Sequence, residues 1–170
     1  MNPEHPVQDS WQSDLDKKFF REKKSEYDVL IMGMSTFKLS GTYYWHQQDI
    51  QETQQRHIVL SNNAAESKEN QIDEWREFYS GPLSEIIENH THPNEKILIV
   101  GGATLYTAGI TARLIQDFYI TMEKNVRLNE EGNATPLLLD GRQLEDIPFK
   151  RIDFIKKDPS TEIRSYHLNY

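Results

Sequence analysis

Three stretches of the sequence end an apolar run in small or hydroxyl-bearing residues, a combination suited to holding an anion. "KILIV" (Lys96 to Val100) finishes in Gly101 and Gly102, and a helix-like segment begins at once. Adjacent residues without Cβ atoms let a ligand press against bare peptide, and the free N–H groups of a following helix point at it. "IMGMSTF" (Ile31 to Phe37) repeats the device with Gly33 and the hydroxyls of Ser35 and Thr36. "VLSNN" (Val59 to Asn63) adds Ser61 and Asn62 at the end of another apolar run. Each alone reads as an ordinary turn. On successive strands they converge on one sheet edge, which favours a long ligand such as a dinucleotide. "VGGATLY" is not the G-x-G-x-x-G fingerprint, and no acid closes a second strand at the expected distance, so a standard Rossmann site is not expected.

The elements behind these residues follow from periodicity. "DVLIM" (Asp28 to Met32), "RHIVLS" (Arg56 to Ser61) and "KILIV" are short continuous apolar runs, read as strands buried on both faces. "REFYS" reads as a short edge strand, and "GPLSEIIENH" as a helix with Pro82 at its first position. Helices are also predicted from Ser13 to Lys24 and from Ala103 to Arg113, and a strand from Gln116 to Val126. Ser13 and Asp16 stand in the S-x-x-[DE] relation of a capping box, in which the acid bonds the N-cap N–H. Near the end, Ile152 and Phe154 alternate with charged residues, "KKDPST" makes a turn, and Tyr166, Leu168 and Tyr170 alternate again. That is an antiparallel hairpin with one wet face. The whole reads as α/β: a largely parallel sheet flanked by helices, with antiparallel strands added at one edge.

The 170 residues suffice for a single domain spanning 1–170, and 3 Trp, 8 Tyr and 7 Phe can fill its core. A formal charge of -8 disfavours nucleic acid as a partner, while leaving room for a small nucleotide held by local N–H groups. No run is long enough to span a bilayer and the first residues lack a signal-peptide layout, so a cytoplasmic protein with no membrane partner is expected. With no cysteine, thiolate sites and disulfides are excluded. The histidines of "HTHP" (His90 to Pro93) have no third ligand at metal-site spacing, so no metal is expected. "YYWH" (Tyr43 to His46) suits a substrate-facing loop or a dimer contact, and the exposed edge of the terminal hairpin suits a homodimer.

Taken as a set, Trp11, "DKKFF" (Asp16 to Phe20), "GMSTF", "LSNN", "VGGATLY", "FYIT" and "GNATPLLL" (Gly132 to Leu139) resemble the dihydrofolate reductase superfamily. The likeness covers Trp11 to Tyr170 and is strongest to the branch with the reductase domain of the bacterial riboflavin-biosynthesis deaminase-reductase. It implies a dihydrofolate-reductase-like three-layer fold and an NAD(P)H-dependent reductase acting on a C=N or C=O group of a small heterocyclic or sugar-linked substrate. It further implies that Gly33, Ser35 and Thr36 line the cofactor phosphates and that Ser61 and Asn62 lie near the adenosine. Gly101, Gly102, Thr104, Leu105 and Tyr106 would wrap the pyrophosphate and nicotinamide. Asp16 matches the helix carboxylate that faces the substrate ring, and Thr121 its neighbouring hydroxyl.

Two departures from the family pattern bear on these expectations. Where many members carry a basic residue after the second-strand glycine, this chain has Met34, and the nearest base after "VLSNN" is Lys68. A 2′-phosphate calls for Arg or Lys, so NADPH is expected with NADH left open. Members also begin with a central strand that would precede Trp11, whereas "MNPEHPVQDS" contains Pro3 and Pro6. The chain is therefore expected to be truncated at its N-terminus or to lack that strand. Two other readings stay open: a catalytically silent dimeric member acting as a binding or scaffold protein, and, ranked lower, dihydrofolate reduction proper.

Overall fold

In chain order the elements are α1 (Asp14–Lys24), β1 (Val29–Gly33), α2 (Met34–Ser40), β2 (Arg56–Leu60), β3 (Arg76–Tyr79), α3 (Leu83–His90), β4 (Ile97–Gly101), α4 (Ala103–Thr111), β5 (Asp117–Glu123), β6 (Phe149–Lys157) and β7 (Thr161–Leu168). They come from a computed structural model that describes residues 13–40, 55–63, 76–123 and 147–170. Those residues divide into two compact units. One holds the parallel strands β1 to β4 with α2, α3 and α4; the other holds α1 as far as Glu22 with β5, β6 and β7.

In the first unit the apolar runs form a parallel sheet in the order β3-β2-β1-β4. The central strand β1 is sealed on both faces, with Val29, Leu30 and Ile31 fully buried. On one face Val29, Ile31, Ile58 and Leu60 meet Leu83 and Ile86 of α3 and Leu105 of α4. On the other, Leu30, Met32 and Val59 pack with Met34 and Phe37 of α2. Each such side chain stabilises the fold by about 1.5–3 kcal/mol. This matches the expectation of apolar strands covered on both sides.

Three features of this unit differ from the sequence reading. The run Ile97 to Val100 was expected to be fully buried, yet all four residues are only partly covered. The reason is position: β4 pairs with β1 on one side, and no strand lies on its other side among the described residues. No helix was predicted for the hydroxyl-bearing segment after Gly33, yet it is one, α2, because Met34 and Phe37 both have core to bury against. Pro82 is the extended N-cap of α3 rather than its first helical residue, with φ -62 and ψ 142.

The second unit is a three-stranded antiparallel sheet in the order β5-β7-β6. The terminal hairpin was expected as an addition to the parallel sheet. Among the described residues it pairs instead with β5. The wet surface expected on one face falls mainly on one strand: β7, in the middle, has five of its eight residues buried and none exposed, while on β6 Ile152 is 51% and Phe154 56% exposed. Phe19 of α1 is buried, its ring 5.9 Å from that of Tyr119 on β5. Trp11, Tyr43 to His46, Lys68, the segment 124–126 of the predicted strand, and "GNATPLLL" lie outside the described residues.

Candidate functional site

The chain leaves β1 for β2 and β3 on one side, and β4 is laid down on the other side of β1. The direction of winding therefore reverses between β1 and β4, and loops diverge there at the carboxyl ends of the strands. In open α/β sheets this is where ligands bind. Gly33 closes β1 and Gly101 closes β4, so two of the three predicted stretches meet at the reversal. A helix starts at each: α2 directly after Gly33, and α4 after its N-cap Gly102. No side chain caps α4, and neither helix carries an acid in its first turn. By contrast α1 has Asp14 and Asp16 there, and α3 has Glu85. The partial positive charge at the starts of α2 and α4 is thus not offset by a carboxylate from the first turn of either helix.

The glycine pair has a second neighbour besides any ligand. Gly101 has φ +142, a conformation open to glycine alone in practice, and its peptide bond to Gly102 is cis. A Cβ added at Gly101 would lie 3.1 Å from Cγ2 and 3.2 Å from Oγ1 of Thr36, and one at Gly102 would lie 3.2 Å from the same Oγ1. The sequence reading left the bare backbone to a ligand or to an ordinary turn. The structure gives part of it to Thr36, a residue placed by the unexpected helix α2. That close approach sets a hydroxyl beside two glycines at the reversal point.

The remaining predicted residues divide by what their side chains already do. Ser35, Asn62 and Thr104 are exposed. Ser61, at the end of β2, is buried; its hydroxyl accepts the Asn63 N–H at 3.1 Å, and its own N–H donates to the Tyr79 carbonyl. It shapes the turn. Leu105 lies in the core and its N–H donates to the Gly102 carbonyl at 2.9 Å; the Tyr106 N–H donates to the same carbonyl, and burial pushes its phenol pKa up. Met34, at the position where a base was looked for, is buried among Leu30, Met32 and Val59.

In the other unit the structure brings Asp16 and Thr121 together. Ser13 caps α1 as expected: its Oγ accepts the Asp16 N–H at 3.1 Å, and its carbonyl accepts the Lys17 N–H. The return bond of a capping box is made by a different acid. The Ser13 N–H donates to Oε1 of Glu123 at 3.0 Å, leaving the Asp16 carboxyl to accept the Thr121 hydroxyl. Burial raises the Asp16 pKa above its ordinary 3.8; the Thr121 hydrogen bond opposes this, and the charge of Glu123 adds to it. A half-buried carboxyl that holds its proton more tightly than usual is suited to general acid–base work. Glu123 was not singled out in the sequence. The signal available was its place two residues after Thr121 on a strand, which puts both on one face.

No protein-family model and no curated protein matches the sequence. Solved structures match in fold. A protein named for riboflavin biosynthesis from Shewanella sp. PV-4 superposes with TM-score 0.62 at 21% identity, over 98% of this chain and 86% of its own. A pyrimidine reductase-like protein from Corynebacterium diphtheriae gives 0.60 at 15% identity, over 97% and 85%. The riboflavin biosynthesis reductase of Saccharomyces cerevisiae gives 0.56 at 13% identity, over 92% and 82%. The fold is the dihydrofolate-reductase-like α/β fold that these proteins share.

Proposed function

We propose that this chain is an NAD(P)H-dependent reductase that acts on a C=N or C=O group of a small heterocyclic or sugar-linked substrate. One observation carries the reading: the winding of the parallel sheet reverses between β1 and β4, and both helices that start there lack an acid in the first turn. A pyrophosphate is the ligand such an edge suits. The residues fit it. Gly101 and Gly102 leave their backbone bare, Thr36 offers a hydroxyl beside them, and the exposed Ser35 and Thr104 lie in the first turns of the two helices. The coenzyme, when bound, supplies the hydride. The chain contributes a seat for the phosphates in the parallel-sheet unit; in the antiparallel unit, taken by itself, the Asp16 carboxyl holds a proton more tightly than usual. Thr121 fixes that carboxyl by donating to it. The reductase names of the proteins that share the fold support the same reading.

With Met34 turned into the core, position 34 offers no cation to a 2′-phosphate, so NADPH and NADH should be compared side by side. Titration of each, followed by coenzyme fluorescence and calorimetry, tests the proposal. Saturable binding of at least one is expected; no binding of either up to about 1 mM, the upper end of ordinary KM values, would refute it. We also propose a homodimer formed along the outer edge of β6, where Ile152 and Phe154 are exposed. Sedimentation of wild type against Phe154→Asp tests this, with a monomeric wild type as the refuting result.

A further inference from the structure

Glu123 sits at the end of β5 and gathers hydrogen bonds from two other elements. Its Oε1 accepts the Ser13 N–H at 3.0 Å, and the Ser13 hydroxyl bonds to it as well. Its Oε2 accepts the Thr161 hydroxyl at 2.8 Å, from the first residue of β7. Ser13 in turn receives the Asp16 N–H. A continuous chain of bonds thus runs from β7 through Glu123 to the cap of α1 and on to the backbone of Asp16. The same strand carries Thr121, whose hydroxyl holds the Asp16 carboxyl. Backbone and side chain of Asp16 are therefore tied to β5 at two points, two residues apart.

We propose that Glu123 is a positioning residue: by taking both hydrogens of Ser13 it fixes the start of α1, and with it the seat of the Asp16 carboxyl against Thr121. An ordinary capping box would use Asp16 itself for the Ser13 N–H. Glu123 substitutes for it and releases the Asp16 carboxyl for other work. Its charge has a second effect. Burial alone would raise Glu123, but the bonds from Ser13 and Thr161 bring its pKa below the ordinary 4.5, which favours its ionised form. An anion held beside a carboxyl favours the protonated form of that carboxyl. Around the pair, Glu123 is the charge that acts on Asp16, and Asp158, in the turn before β7, acts on Glu123. Asp158 is itself held ionised by bonds from Ser160 and Thr161.

The catalytic meaning of this arrangement rests on the reductase reading above, but its test needs no coenzyme. Full-length chain labelled with ¹³C at the aspartate carboxyls, with Asp16→Asn to assign the signal, gives the Asp16 titration; amide exchange at Ser13 reports the anchor. Glu123→Gln keeps an oxygen for the Ser13 N–H and removes the charge. Its Asp16 midpoint should fall while Ser13 exchange stays slow. In Glu123→Ala the midpoint should also fall, and Ser13 exchange should quicken by about tenfold or more, as expected for loss of a charge-assisted bond. Unchanged Ser13 exchange in the alanine variant overturns the anchor. A midpoint that does not fall in the glutamine variant, which is also the informative one should the alanine variant not fold, overturns the charge effect. Absence of coenzyme binding would sink the reductase reading and leave both of these measurements intact.

Discussion

Lowering the pH to about 5 should destabilise this protein through one buried imidazole, and the size of the effect can be worked out. His57 lies in the middle of the parallel sheet on β2, between Leu30 of β1 and Arg76 of β3, and only 3% of it is exposed. Burial, with the charges of Lys24 and Arg76 nearby, lowers its pKa from 6.5 to about 3. The native state therefore keeps the ring neutral while the unfolded chain protonates it near 6.5. Between about pH 3 and 6.5 the unfolded state binds more protons, so stability rises with pH across that window and is fully present above it. At about pH 5 the unfolded ring is some 1.5 units below its midpoint, which corresponds to a loss of about 2 kcal/mol relative to about pH 7.5. That is a sizeable share of a stability of roughly 5–15 kcal/mol. Urea unfolding at the two pH values gives the difference for wild type and for His57→Gln and His57→Leu. The wild type should lose about 2 kcal/mol more than either variant, with similar m values. Parallel losses in all three proteins would mean that His57 titrates alike in the folded and unfolded states, and the burial argument would be wrong.

Other predictions concern the candidate site and the sheet edge. Gly101→Ala forces a side chain into φ +142 and against Thr36, so it should cost about 1–3 kcal/mol by thermal or urea unfolding. Adding Thr36→Gly should recover only the contact part of that loss, and full recovery would show that the backbone is not strained. Thr121→Val removes the bond that opposes the rise in the Asp16 pKa, so Asp16 should titrate higher still by carboxyl NMR; a downward move would contradict the assigned hydrogen bond. Above pH 3.8 the native state then holds more proton than the unfolded one, so this group's contribution to stability falls as pH rises. In β4 the Lys96 carbonyl accepts the Val29 N–H, so Leu98 and Val100 face β1 and the groups of Ile97 and Ile99 point outward. Hydrogen exchange at Ile97 and Ile99 should accordingly be faster than at Leu98, and equal protection would mean that another segment covers this edge.

The composition of short segments determined much of this molecule without help from distant residues. Continuous runs such as Val29 to Met32 can be satisfied only by cover on both faces, so β1 and β2 and their parallel pairing were readable, as were the capped start of α1 and the terminal hairpin. The strand-end glycines were readable for a similar reason: two residues without Cβ at that place demand a special backbone, and Gly101 has one. What remained hidden depends on who the neighbours are. Ile97 to Val100 is as continuously apolar as β1 but lies at an edge, and no local pattern encodes which side of a strand is left open. The glycines' partner, Thr36, was set by a helix that forms because Met34 and Phe37 find a core to enter. Glu123 took over the capping bond from 110 residues away, a distance at which sequence periodicity carries no information. The sequence thus decided which backbones could exist, and tertiary contact decided which carboxyl took the cap of α1, because Glu123 reaches Ser13 only once β5 and α1 are packed together.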